Sequence, residues 1–288
     1  MTFVIVGFLL FLAPFQTGLH FWPPFAYSFG LRHDYLSPTL FLTDLPLLAL
    51  FFFQLFKHSL PFPNNPRLYL PLTLFIFFNT FFSSLPVFSL LTWFRWLLLL
   101  NFALTTAAFP APKLKLLLLP LLFSSSLVSL LALAQFVLQK SLGGLFYYLG
   151  ERTFTHLTPG IAKFDVSSLP FSLFSNNPAL LRPYSTFSHP NSLAGFLLIL
   201  ICLTLFSLKK TRPTLLTLLF LLFGIPALLL TASKTALLGL ALIPFALYLN
   251  PQKILNRFSQ ISAFILPFSL IPLLNISPTI QWLQERRL

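Results

Sequence analysis

Long apolar runs recur along the whole chain and constrain its fold more than any other feature. Leu and Phe dominate these runs, and 57% of the 288 residues are hydrophobic whereas only 8% are charged. Soluble domains carry about a quarter charged residues, so a water-soluble fold of this length could not bury so much apolar surface. A bilayer removes that requirement, because a spanning helix needs about 20 mainly apolar residues. The sequence therefore predicts an all-α, polytopic integral membrane protein.

The runs predict about nine transmembrane helices within a single transmembrane domain, residues 1–288. The predicted spans are residues 3–18, 39–56, 68–85, 87–108, 116–138, 191–208, 214–231, 235–249 and 259–275. The first run lacks a basic start and a small-residue cleavage site, so we expect it to be retained as the first helix.

The positions of the cations predict the orientation of these helices. Four short connections contain Lys or Arg and no Asp or Glu; their cations are Lys57 and Arg67, then Lys113 and Lys115, then Lys209, Lys210 and Arg212, and finally Lys253 and Arg257. These connections alternate in the nine-span order, and short loops rich in Lys and Arg remain cytoplasmic. The pattern predicts a cytoplasmic N-terminus and outer segments 19–38, 139–190 and 276–288. The net charge of +13 then reflects membrane topology, and we expect no nucleic-acid partner.

The outer loop 139–190 ends in the most polar stretch of the chain. Arg182-Pro-Tyr-Ser-Thr-Phe-Ser-His-Pro-Asn-Ser-Leu-Ala-Gly195 brings a cation, a phenol, hydroxyls, an imidazole and a carboxamide to the start of an apolar helix. Lys234, within Thr231-Ala-Ser-Lys-Thr235, is predicted at the same face. The Arg fork and the Lys point charge both suit a phosphate group. Alternatively, Lys234 belongs to a short solvated hairpin and extends its amine into the headgroup region.

Other polar residues have two interpretations each. Asn191 either caps the following helix or contacts substrate, and His189 is a general base, a hydrogen-bond donor to substrate or a structural residue. Asp44 and Arg95 fall inside predicted spans, where they either form an ion pair or line a substrate pathway. No metal-ligand spacing or nucleotide motif is present, so the sequence predicts neither a metal nor a cofactor.

The stretch Arg182–Gly195 resembles the signature of the O-antigen ligase and O-antigen polymerase superfamily. The resemblance extends upstream through Gln135, Gln139 and Leu149-Gly-Glu-Arg152. Downstream, Thr231-Ala-Ser-Lys-Thr235 is similar to the family's Ser-Arg motif, with Lys234 in place of the usual Arg.

This resemblance implies a lipid-carrier glycosyltransferase-like helical bundle in the bacterial inner (cytoplasmic) membrane. Such proteins transfer a glycan from undecaprenyl pyrophosphate to lipid A-core or another surface acceptor at the outer face of that membrane. By resemblance, Arg182 and Lys234 hold the donor pyrophosphate, and no cofactor is needed. The other substrate-binding residues implied are Tyr184, Thr186, His189, Asn191 and Arg152.

The chain departs from the family pattern at its C-terminal end. The family's catalytic His lies in a large outer loop, whereas this sequence ends at Leu288, where that loop would begin. We therefore expect a C-terminally truncated member, with the base beyond Leu288, that binds donor without turnover. Lys234 in place of Arg also loses a bidentate contact.

Three other functions remain open from the sequence. A polysaccharide polymerase of the same superfamily would differ in its acceptor. A transporter or channel would place polar residues at the midplane of several spans. A structural membrane scaffold would leave Arg182 and Lys234 without a shared role.

Overall fold

The computed structural model describes residues 1–28, 30–32, 37–61, 66–165, 179–208 and 213–248, and these are mostly helical. The helices are α1 (Thr2–Leu12), α2 (Asp44–Phe56), α3 (Pro66–Phe81), α4 (Pro86–Ala107), α5 (Ala111–Leu138), α6 (Leu145–Tyr148), α7 (Pro190–Leu208), α8 (Leu215–Leu230) and α9 (Lys234–Tyr248). Apart from the short α6, each coincides with a predicted span. The ninth predicted span, 259–275, lies outside the described residues.

Three described helices are long and apolar enough to cross a membrane. They are Pro86–Ala107, Pro112–Leu138 and Pro190–Leu208. The other apolar helices have 10–17 residues. The helical membrane class is therefore supported, whereas the count of nine spans stays a prediction. The first predicted span is shorter than expected: α1 ends at Leu12, just before Pro14, which has no N–H to continue the helical ladder.

Among the described residues, six short strands, which the all-α prediction did not include, form antiparallel pairs in the segments between helices. Gly18–His20 (β1) pairs with Thr39–Phe41 (β4), and Tyr27–Ser28 (β2) pairs with Leu31–Arg32 (β3). Lys163–Asp165 (β5) pairs with Ala179–Leu181 (β6). Backbone outside the helices must find other partners for its N–H and C=O groups, and these pairs supply them.

The chain divides into two compact units, and the larger contains residues 1–59 and 105–243. In it α5 packs against α1 and α8, α7 packs against α8, and α1 packs against α2. Fully buried side chains such as Leu122, Leu131 and Phe220 fill the space between these helices. Helix α5 is therefore the central element of this unit.

The smaller unit contains residues 60–104 and 244–288. Here the Asn79 side chain joins α3 to α4, because its Oδ1 accepts hydrogen bonds from Trp93 Nε1 (2.9 Å) and Ser89 Oγ (3.3 Å). The rings of Phe75 and Trp93 make an edge contact at 5.4 Å. Many other Phe and Leu side chains of this unit are exposed, as expected for helices that face lipid.

The segment that follows α1 meets the predicted outer loop 139–190 at one end of α5. Thr17 Oγ1 donates to the Tyr148 carbonyl oxygen (2.8 Å), and Thr186 Oγ1 donates to the Pro14 carbonyl oxygen (2.6 Å). The segment after α1 and the segment after α5 thus lie at the same end of the larger unit. Which side of the membrane this end faces stays a prediction.

The position of Asp44 differs from the expectation. Asp44 is the first residue of α2 and not an interior residue of the helix, and its carboxylate accepts a hydrogen bond from the Phe41 backbone N–H (2.8 Å). An acidic side chain is favourable in the first helical turn, because the helix dipole is positive there. Its pairing with Arg95 stays a prediction.

Candidate anion-binding site

Arg182 joins three segments that are far apart in sequence. Its Nε donates to the Thr231 carbonyl oxygen (2.5 Å), in the turn between α8 and α9. Its Nη2 donates to Asn191 Oδ1 (2.6 Å), in the first turn of α7. Its own backbone N–H donates to the Ala162 carbonyl oxygen (3.1 Å). The guanidinium is therefore fixed where the end of β6, the start of α7 and the α8–α9 turn meet.

The guanidinium of Arg182 keeps donors for a ligand. An arginine carries five N–H groups, and the bonds to Thr231 and Asn191 use two, so three remain without a partner among the described residues. Two of these N–H groups are on Nη1 and one is on Nη2, and neighbouring guanidinium N–H groups suit a bidentate contact with an anion. Burial lowers the pKa of Arg182, and Tyr184 acts in the opposite direction. Arginine nevertheless keeps its charge in proteins.

The α8–α9 turn presents a second cation near the Thr231 carbonyl. Thr231 is fully buried and its hydroxyl donates to the Leu228 carbonyl oxygen (2.6 Å). Ala232 adopts a positive φ of 50°, which reverses the chain between the two helices. Lys234 is the first residue of α9 and its side chain is exposed. The structure thus joins Arg182 to the turn that carries Lys234 through one hydrogen bond, and a ligand shared by the two cations stays a prediction.

Gln135, in the last turns of α5, holds the segment that follows Arg182. Its Oε1 accepts from the backbone N–H groups of Tyr184 (3.1 Å) and Ser185 (2.6 Å), and its Nε2 donates to the Ser185 carbonyl oxygen (3.2 Å). Ser185 has a positive φ of 53°, and its hydroxyl donates to the Val128 carbonyl oxygen (2.7 Å). Helix α5 therefore binds both the backbone and the side chain of Ser185 and holds this strained conformation.

The buried carboxylate of Glu151 is the last member of this hydrogen-bond network around Gln135. The carboxylate is 3% exposed and accepts three hydrogen bonds: from Gln135 Nε2 (2.7 Å) and from the backbone N–H groups of Leu142 (2.8 Å) and Gly143 (2.7 Å). Three donors compensate the charge for its removal from water. Glu151 therefore fixes the orientation of the Gln135 amide.

Gln139 provides a second attachment one turn further along α5. It is the left-handed C-cap residue of the helix, with φ 54°. Its Oε1 accepts from the Leu181 backbone N–H (2.8 Å), directly before Arg182. Gln135 and Gln139 are four residues apart and lie on one helix face, so both amides reach the same loop.

Tyr184 and Thr186, two of the predicted substrate-binding residues, are buried and bound to the protein. Tyr184 is 5% exposed and its hydroxyl accepts from the Ala162 backbone N–H (2.8 Å). Thr186 is 1% exposed and its hydroxyl donates to the Pro14 carbonyl oxygen. In this structure both residues position the loop instead of facing solvent.

His189, and not Asn191, caps helix α7. Helix α7 begins at Pro190, so His189 occupies the cap position, and its Nδ1 accepts from the Asn191 backbone N–H (3.1 Å). The Asn191 side chain accepts from Arg182 instead. Because Nδ1 is an acceptor here, the ring proton of neutral His189 resides on Nε2, which is then a hydrogen-bond donor. Asn191 as the side-chain cap is therefore wrong.

Arg152 is exposed and follows Glu151 directly. Its role in substrate binding stays a prediction. Within the described segments, no group of three or more His, Cys, Asp or Glu residues is placed to hold a metal ion.

The sequence does not reveal that Thr231 orients Arg182, because that contact uses a backbone carbonyl.

Comparisons with known proteins do not place the chain in a family. No protein-family model matches it, and neither does any curated protein or solved structure.

Proposed function

We propose that the chain is an O-antigen ligase-like transferase of the bacterial inner membrane, which moves a glycan from undecaprenyl pyrophosphate to a surface acceptor such as lipid A-core. The observation that carries this proposal is the fixed Arg182 guanidinium, which keeps three N–H groups without a partner among the described residues and is bonded to the turn that presents Lys234. A planar fork and a point charge together suit the two phosphates of a pyrophosphate. The apolar helices suit the polyprenyl chain.

The chemistry of glycan transfer explains why cations belong at this position. The bond between the anomeric carbon and the pyrophosphate oxygen breaks, and the acceptor oxygen forms the new bond to that carbon. The electron pair of the broken bond remains on the pyrophosphate. Arg182 and Lys234 stabilise the negative charge that develops there, which lowers the barrier to transfer. The acceptor hydroxyl loses its proton to a base that this proposal does not assign.

His189 contributes to donor binding in this proposal, not to proton abstraction. Its Nδ1 accepts from the Asn191 backbone N–H, and its ring is exposed beside the α7 start. The Nε2–H group can then donate to a phosphate or sugar oxygen. A base would need an unprotonated nitrogen facing the acceptor, and capping of α7 occupies Nδ1.

Photo-crosslinking to an undecaprenyl-pyrophosphate-linked oligosaccharide tests the donor assignment. Arg182→Ala removes two charged contacts, and we expect roughly hundredfold weaker crosslinking. Asn191→Ala keeps the charge but frees the guanidinium, so a smaller loss is expected. Lys140→Ala, which removes another exposed cation of the same loop, should change nothing. The melting temperature of each variant in detergent reports whether the fold is intact, because Arg182 also joins three segments.

Two results would contradict the donor site. One is unchanged crosslinking in a folded Arg182→Ala variant. The other is equal crosslinking of undecaprenyl pyrophosphate and the monophosphate carrier, since the two cations are assigned to two phosphates. Transfer is then measured with two acceptors. Product on lipid A-core indicates a ligase, and product on a second lipid-linked repeat indicates a polymerase. If the chain binds the donor but forms neither product, it is a donor-binding protein and the transferase activity is contradicted.

A further inference from the structure

A cavity with both polar and apolar lining lies at the opposite end of α5 from Arg182. It has a volume of about 130 Å³ and is bounded by the early turns of α5, the end of α7 and the start of α8. Its polar lining comes from Lys115, Thr204, Ser207, Thr214 and Thr217. Lys115 and Gln135 are separated by 20 residues of one helix, or about 30 Å at 1.5 Å per residue. The cavity is therefore distinct from the candidate donor site.

The polar side of the cavity can donate hydrogen bonds to an anion. Lys115 contributes an ammonium group with three N–H donors. The hydroxyls of Thr214 and Thr217 are 2.8 Å apart, and Thr214 Oγ1 also accepts from the Thr217 backbone N–H (3.2 Å). Two hydroxyls have two protons and their mutual bond uses one, so the other can point into the cavity. The cavity therefore combines a cation with a hydroxyl donor.

The remaining wall is apolar and comes from Leu118, Leu119 and Leu122 on α5 and Leu208 on α7. The three α5 leucines continue from Lys115 toward the middle of α5, which is a helix long and apolar enough to cross a membrane. An occupant with a charged head and an apolar tail therefore matches the lining better than a free inorganic ion.

The charge around the cavity selects an anion. The sequence contains no Asp or Glu between residues 45 and 150 or between 166 and 284, so neither α5 nor the α7–α8 region supplies a carboxylate. Lys113 lies two residues before Lys115, and Lys209, Lys210 and Arg212 occur in the sequence that joins α7 to α8. Basic pockets between membrane helices commonly bind anionic lipid headgroups.

We propose that this cavity binds the phosphate headgroup of an anionic phospholipid, with Lys115 and the Thr214–Thr217 pair contacting the phosphate. The first methylenes of the acyl chains lie along Leu118, Leu119 and Leu122. This inference does not depend on the proposed transferase function, because it uses neither Arg182 nor Lys234.

Purified protein in detergent, titrated with phosphatidylglycerol, tests the proposal through bound lipid counted by native mass spectrometry and through the melting temperature. We expect phosphatidylglycerol to bind and to raise the melting temperature, and phosphatidylcholine or inorganic phosphate at equal concentration to do neither. Lys115→Gln should weaken phosphatidylglycerol binding roughly fivefold, as expected for one cation near a membrane surface. Thr214→Val combined with Thr217→Val should weaken it further.

Lys113→Gln is the matched control, because Lys113 is exposed on the same helix but does not line the cavity. It should weaken binding clearly less than Lys115→Gln does, because Lys113 contributes only general attraction and no direct contact. Equal losses in the Lys113 and Lys115 variants would show general attraction of lipid to a basic surface and would overturn the site. Stabilisation by inorganic phosphate equal to that by phosphatidylglycerol would overturn the lipid assignment. Undiminished phosphatidylglycerol binding by the threonine double variant would show that the two hydroxyls do not contact the phosphate.

Discussion

The side-chain amide of Gln135 determines the conformation of the loop that carries Arg182. One buried amide serves the N–H and the C=O of Ser185 at the same time, much as a neighbouring strand would. Glu151 then prevents the amide from rotating, because a flipped amide would place its oxygen against the carboxylate. Polar residues in an apolar helix are costly when unpaired. Gln135 is therefore a positioning residue for Arg182.

Replacing Gln135 by Leu should destabilise the protein strongly. The backbone N–H groups of Tyr184 and Ser185 lose their acceptor, and each buried N–H left unpaired costs about 1–3 kcal/mol. The melting temperature in detergent should fall, and donor crosslinking should weaken because Arg182 loses its support. Gln139→Leu is the matched control: it removes one acceptor, for the partly buried Leu181 N–H, so its effect should be smaller. Equal effects of the two variants would contradict the special role of Gln135.

At the scale of elements, the α8–α9 turn connects two helices to the candidate site. Ala232 holds φ 50°, a region that costs an L-residue roughly 1–2 kcal/mol. That conformation directs the preceding Thr231 carbonyl toward Arg182 and starts α9 at Lys234. The turn therefore sets the guanidinium contact and the position of the second cation together.

The same substitution at two alanines of this region should have opposite effects. Ala232→Gly relieves the positive φ and should stabilise the protein by up to about 1 kcal/mol. Ala236→Gly places glycine within α9 and should destabilise by about 1 kcal/mol. Thermal unfolding of both variants in detergent measures the difference. Destabilisation by Ala232→Gly would show that the left-handed conformation at Ala232 does not describe the folded protein.

At the scale of the whole molecule, the apolar runs predicted the helices well. Eight predicted spans coincide with helices, because long stretches of Leu and Phe have few alternatives in a bilayer. The helix ends were harder to predict, as for Asp44, since local turns determine them.

The candidate site could be predicted only in part. Arg182, Asn191 and Lys234 were identifiable from the sequence because they are polar or charged residues next to long apolar runs. Their geometry was not, because it depends on contacts over long sequence separations, such as Arg182 with Thr231 and Thr186 with Pro14. Those contacts involve backbone carbonyls, which carry no signal in the sequence.

Helix α5 connects the two ends of the larger unit and so allows the orientation of the protein to be tested. Its 28 residues extend about 42 Å, more than the roughly 30 Å hydrocarbon core. Lys113 lies at its beginning, and the His156 backbone N–H donates to the Gln139 carbonyl oxygen at its end (3.0 Å). Lys113 and the neighbourhood of Thr155 therefore face opposite sides of the membrane if α5 spans it.

Single cysteines at these two positions should react from opposite sides. In a Cys202→Ala background, Thr155→Cys should react with a membrane-impermeant maleimide in intact cells, because the cation pattern places this end outside. Lys113→Cys should react only after permeabilisation. Both side chains are exposed, so accessibility within the fold is matched. The reversed labelling pattern would show the opposite topology, with Arg182 on the cytoplasmic side. That result would contradict a donor site at the outer face. Labelling of both positions in intact cells would show that α5 does not span the membrane.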